Sequence, residues 1–261
     1  MKPEEIAAYI GAAAWLPQIG VWIYRGLVKP RLRVVPDQFA QVGFTSYGPI
    51  FNLRMAFFVE HRDIIIDGIE LAVRHEDGES RTFRWAGLGE TFSEITDESG
   101  KKQIVSRDQS PIAIKVSIQA LLDRFVRFQE PRYSLADRLA MQVLVEHFNY
   151  QKQTTPDRFV TEVLASKEFY AAIEGRQKWF WWKPGHYEVV LKPSSPQAFK
   201  LTEPSFAFDL SSIEVDQLRQ NLPIIDTELR NTISSNLPAF TPQPFVWQWA
   251  NVGIVRAGAA L

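Results

Sequence analysis

Residues 64–85 read IIIDGIELAVRHEDGESRTFRW, and this stretch decides the fold class. From Ile69 the pattern alternates: Ile69, Leu71 and Val73 point one way, Glu70 and Arg74 the other. That is the period of a strand with one buried face. Asp77-Gly78 is a hairpin turn pair, and Thr82-Phe83-Arg84-Trp85 is the strand that returns from it.

The same grammar extends outward. Upstream, Leu32-Arg33-Val34-Val35 is a short apolar strand that Pro36 ends, and Ile50 to Val59 (IFNLRMAFFV) follows a Gly48-Pro49 turn. Downstream, Ser99-Gly100 and Lys101-Lys102 mark an exposed turn, and Ile104-Val105 and Ile112 to Val116 supply further strands. Short strands with one apolar face, separated by glycine, proline and aspartate turns, predict an antiparallel β-sandwich in a chain that is mainly β with some α.

A helical insertion is expected at about 119–176. Ser134 caps a first helix, with Leu135, Leu139, Val143 and Leu144 on one face. Thr155-Pro156-Asp157 starts a second, carried by Phe159, Val160, Val163, Leu164 and Ala171 and stopped by Gly175. Strands resume with Trp179-Phe180-Trp181-Trp182, turn at Lys183-Pro184-Gly185, and continue through Tyr187 to Leu191. The piece Gly185-His186-Tyr187-Glu188-Val189-Val190-Leu191 resembles a late strand of immunoglobulin-like sandwiches, in which glycine-x-tyrosine leads an alternating strand. That resemblance implies a fold class and no activity. Tyr187 and Val189 are expected inward, with Phe83 and Trp85 on paired strands.

Phe206-Ala207-Phe208 is a further strand. Ser211 and Glu214 form a capping box for a final helix over about 211–234, bearing Leu218, Leu222, Ile225, Leu229 and Ile233 and kinked or split at Pro223. The tail from Phe245 to Val255 is apolar enough to pack.

The amino-terminal segment has a different character. Ile6 to Tyr24 is 19 residues without a charge, followed by Arg25, Lys29, Arg31 and Arg33 with no acid before Asp37. A helix of that length spans about 28 Å, close to the thickness of a bilayer's hydrocarbon. Residues 1–28 are therefore expected to anchor a domain formed by residues 29–261 to membrane lipid as a single-pass helix. Trp15, Pro17, Gln18, Trp22, Tyr24, Arg25 and Lys29 are the candidate anchor residues. The cations follow the run rather than precede it, which places the large domain on the cytoplasmic side. Pro17 and Gln18 oppose a span unless a neighbouring helix or a kink satisfies the freed polar groups. A buried core helix and an amphipathic interfacial helix are the alternatives.

Composition excludes several chemistries. Cysteine is absent, which removes disulfides and thiolate metal sites. The net charge of −1 gives no basic field for nucleic acid. His61-Arg62-Asp63 matches the opening of a kinase catalytic loop, but that loop needs asparagine where this chain has Gly68. Gly87-Leu88-Gly89 lacks the third glycine of a dinucleotide fingerprint. His61, His75, His147 and His186 show no ligand spacing, so no metal and no cofactor is assigned. Two surfaces remain as candidates for interaction. One is the aromatic run Trp179, Phe180, Trp181 and Trp182; coverage by the chain's own helices is its plainer explanation. The other is the basic set Arg124, Arg127, Arg132 and Arg138, interleaved with Phe125 and Phe128.

The function expected on these grounds is a membrane-tethered, non-catalytic binding or scaffold module that docks a partner protein. An accessory subunit of a membrane protein complex is the alternative, with Ala7, Gly11 and Ala12 against another helix. An enzyme without a recognisable motif is the third reading. Oligomeric state is not legible.

Overall fold

The computed structural model describes residues 15–21, 28–96, 102–109, 112–202 and 204–256. The chain is mainly β. Strands β1 (Arg31–Thr45), β2 (Gly48–Glu60), β3 (Ile64–Ile66), β4 (Gly68–His75), β5 (Ser80–Thr96), β6 (Lys102–Gln109), β7 (Ile114–Val116) and β8 (Leu122–Gln129) come first. Helices α2 (Pro131–Thr154), α3 (Phe159–Leu164) and α4 (Lys167–Gln177) follow, and residues 15–21 form a helical turn, α1, ahead of them all. Then come β9 (Gly185–Ser194), β10 (Lys200–Thr202), β11 (Ser205–Leu210), α5 (Ser212–Arg219), α6 (Asn221–Ser234), β12 (Trp249–Gly253) and β13 (Val255–Arg256).

The strands form an eleven-stranded sheet in the order β10-β1-β2-β8-β5-β4-β9-β11-β13, with β12 on β1 and β6 on β5, and a two-stranded sheet of β3 and β7. The larger sheet curls. Phe51 on β2 and Phe208 on β11 are far apart along it, yet their rings meet at 5.4 Å. The last strands hold the curl shut: β12 pairs antiparallel with β1, β13 with β11, and the Ile254 N–H between them donates to the Gln38 carbonyl. The interior is filled by side chains, as in other small barrels. Ile69, Leu71, Val73, Phe83, Tyr187 and Val189 all point inward as the alternation predicted, and Trp85 packs against them half-buried.

The connections sort to two ends. Every helix from α2 to α6 joins the strands at one end, beside the β1–β2 and β4–β5 turns. At the other end β3 pairs with β7, and Ile64, Ile66, Ile114 and Val116 close the core from below.

Several sequence expectations are revised. Pro36 does not end a strand: β1 runs through it, and the register shifts between Pro36 and Ala40. A proline is tolerated inside a strand at such an irregularity, where the ladder is already broken. Asp67 splits 64–74 into β3 and β4. Residues 122–129, placed in the helical insertion, form β8, an interior strand between β2 and β5, with Val126 and Phe128 in the core. The first long helix begins at Pro131, using proline at N1 rather than a Ser134 cap. The second is broken at Ala165, after which the Ser166 hydroxyl accepts from the Phe169 N–H at 3.2 Å and starts α4. The Ser211–Glu214 capping box is present, and the final helix divides at Gln220 with Pro223 in the first turn of α6.

Candidate functional site

The aromatic run leaves α4 as irregular chain, not as a strand. Trp181 and Trp182 are buried, with 4% and 1% of their surface exposed, and they plug the helical end of the barrel. Trp182 stacks on Phe83 at 5.9 Å, and its indole N–H donates to the Gly43 carbonyl at 3.0 Å. A Cβ at Gly43 would collide with the ring of Trp249, so only glycine lets these two tryptophans close on β1 from both sides. Trp179 stands edge-on to Tyr133 at 5.8 Å and Phe180 edge-on to Phe44 at 5.2 Å, both half-buried. The protein's own helices and barrel mouth therefore cover the run.

Charge surrounds the plug. The Arg81 guanidinium lies 5.6 Å from the ring centres of both Trp179 and Trp181. It reaches 3.2 Å to the carboxylate of Glu130, which is fully buried and also receives Arg132 at 2.9 Å. Arg132 thus neutralises a buried acid rather than standing free for a ligand. Across the same rim the Lys183 ammonium is 2.8 Å from both Asp77 and Glu79. That clasp holds the carboxyls of Asp77 and Glu79 below the usual carboxylate range and raises the Lys183 ammonium above its own. The Tyr187 hydroxyl accepts from the Lys183 N–H at 2.8 Å and donates to the Lys183 carbonyl at 2.9 Å, and burial pushes it up to about 12.

Two of the histidines are held by neighbours. His75 is buried against Tyr187, with Nδ1 3.0 Å from Asp77 and Nε2 3.2 Å from the Pro184 carbonyl, so both nitrogens are engaged. His186 meets Asp209 at 2.8 Å on open surface. Among the described residues no group of three or more histidines and acids could hold a metal ion. Arg124 and Arg127 are half-buried on the barrel wall, whereas Arg132 and Arg138 are exposed on α2. The basic set is therefore divided between β8 and α2.

The surface that the sequence reading misassigned is on α2. The sequence places Leu135, Leu139, Val143 and Leu144 on one helical face, but only Leu144 is core, in a cluster with Val160, Val163, Phe169, Ala172, Ile173, Leu229 and Ile233. Leu135, Leu139, Val143 and Tyr150 are 60%, 57%, 54% and 61% exposed. Their spacing puts them on one side of the helix, opposite Tyr133, Met141, Leu144 and Phe148. An apolar stripe on each of two faces is the signal that periodicity alone could not rank.

Of the anchor residues, Trp15, Pro17 and Gln18 lie in α1 and are exposed; Trp22, Tyr24 and Arg25 lie outside the described residues, as does most of the uncharged run. No helix among the described residues is long and apolar enough to cross a membrane. Lys29 is exposed beside Arg31, His61 and Lys200. No protein-family model matches the chain, and no curated protein or solved structure matches it either.

Proposed function

We propose that this protein is a membrane-tethered, non-catalytic docking module: the curled sheet is a rigid support, and the outer face of α2 receives an apolar helix of a partner protein. The observation that carries this reading is the stripe Leu135, Leu139, Val143 and Tyr150, exposed on a helix whose opposite face is packed. A contiguous apolar patch on an otherwise polar surface marks an interaction site, and a straight helical stripe fits another helix lying along it. The 19-residue uncharged run with its trailing cations supports the tether and a cytoplasmic domain. The immunoglobulin-like label adds nothing to this reading, since one curled sheet would do the same work.

The test places a photo-crosslinking residue at position 139 of the full-length chain in its native membrane, with position 213 on α5, 79% exposed, as control. A discrete adduct from 139 and none from 213 is expected. Equal labelling at both positions would dispose of the docking face. Recovery of the full-length chain in the soluble fraction without detergent would dispose of the tether.

A further inference from the structure

The end of the barrel opposite the helices combines cations and exposed apolar residues in a way the docking role does not use. Val28, Lys29, Arg31, His61 and Lys200 line an open cleft of about 380 Å³. The pairing of Arg31 with Lys200 and with Glu60 fixes the strands that carry them. Arg31 shares its charge with Glu60 at 3.6 Å, while Lys29, Arg62 and Lys200 make no ion pair among the described residues.

Next to the cleft the surface turns apolar. Ile65, Ile112, Ile118 and Leu121 are 40%, 86%, 52% and 58% exposed. Ile65 and Ile118 are held in place. The Ile118 N–H donates to Asp63 at 3.0 Å, Lys115 pairs with Asp63 at 2.9 Å, and the Ile65 N–H donates to Gln197 at 2.9 Å. Asp63 therefore fixes the loop bearing Ile118 two residues from His61, which puts the apolar rim against the cationic cleft. The uncharged run is followed in sequence by Arg25 and then Lys29, which lies at this same end.

We propose that this end of the barrel lies on an anionic bilayer, with the cleft holding a lipid phosphate and Ile112, Ile118 and Leu121 entering the interface beside it. The cleft lysines supply attraction to anionic headgroups and the aliphatic side chains supply burial, the two components of interfacial binding. A protein partner would need acids placed opposite each lysine, whereas a lipid surface supplies phosphate wherever the cleft lands. The orientation rests on the tether reading, since it turns α2 and its stripe away from the membrane.

The chain has no cysteine, so a single substitution gives a unique label. Full-length protein labelled with an environment-sensitive fluorophore at I118C, and separately at Y47C in the turn at the helical end, is mixed with phosphatidylcholine vesicles with and without phosphatidylglycerol. A blue shift is expected at position 118 only, and only with the anionic lipid. Lys29→Ala with Lys200→Ala should lower partitioning about fivefold each, roughly 25-fold together. Reversal of the signal by millimolar inorganic phosphate would assign the cleft to a soluble phosphate and overturn the lipid assignment. Equal shifts at both positions, or insensitivity to the lysines, would overturn the proposal itself. Because vesicles are added from outside, a failed tether leaves this outcome readable.

Discussion

Arg81 lies between Glu130 and the tryptophan pair: its guanidinium is 3.2 Å from a carboxylate with no exposed surface and 5.6 Å from the centre of the Trp181 ring. Removing that ion alone takes away one of the two cations that neutralise a buried carboxylate. Arg81→Met should cost about 3–5 kcal/mol by urea denaturation, since it leaves Glu130 with Arg132 only. Adding Glu130→Leu should restore part of the loss. If the double variant is as unstable as the two single losses summed, the pair is not coupled as described.

The register of β4 sets a second contrast. Leu71 is fully buried, while Glu70 faces out to Arg84 at 2.6 Å. Leu71→Ala should cost about 2–5 kcal/mol and Glu70→Ala less than about 0.5. Similar losses at both positions would contradict the register.

Trp182 distinguishes plug from binding surface. Trp182→Phe keeps most of the ring but strands the Gly43 carbonyl, at a cost of about 1–3 kcal/mol; Trp182→Ala should cost about 3–5. A folded, fully stable Trp182→Ala protein would show that the aromatic run does not hold the barrel end.

The Lys183 clasp predicts a pH window. Asp77 and Glu79 have folded-state values below their unfolded ones, so their contribution is complete above about pH 5 and fades as acid protonates them. Lys183 is raised, so its contribution is complete below about pH 10 and fades as base deprotonates it. The stability gap between the native chain and Lys183→Met should be flat between those limits and shrink outside them. A gap that widens in acid would reverse the sign and refute the clasp.

On α2, Leu139→Ser should leave the melting temperature nearly unchanged and abolish crosslinking from a probe moved to position 143, whereas Leu144→Ala should cost about 2–5 kcal/mol. A hot-spot contact at Leu139 would be worth about 2 kcal/mol or more of binding.

The strands read most clearly were those with one wet face, such as Ile69 to Val73, because alternation survives only where solvent selects polar residues. β8 was hidden by Arg124 and Arg127, long cations that sit half-buried on the barrel wall and imitate a solvated helix face. The clasp was invisible for a different reason. His75, Asp77 and Arg81 share the β4–β5 hairpin, but Glu130 and Lys183 come from distant segments, and only tertiary pairing brings them to the same rim. The stripe on α2 was legible as apolar spacing, but which face is covered depends on where α3 and α4 fall.

Among the described residues, those that join the sheet's two ends come after every other strand. On the ribosome, then, β1 and β11 are made long before the segment that bridges them. Until residues 249–256 emerge, both edges offer unpaired backbone to any neighbouring nascent chain. Closure also joins segments nearly the whole domain apart, so the final step is slow for a chain of this size. Synthesis of this protein therefore has a vulnerable interval set by the position of its closing strand, and a chaperone that shields strand edges should raise its yield more than one that binds exposed helices.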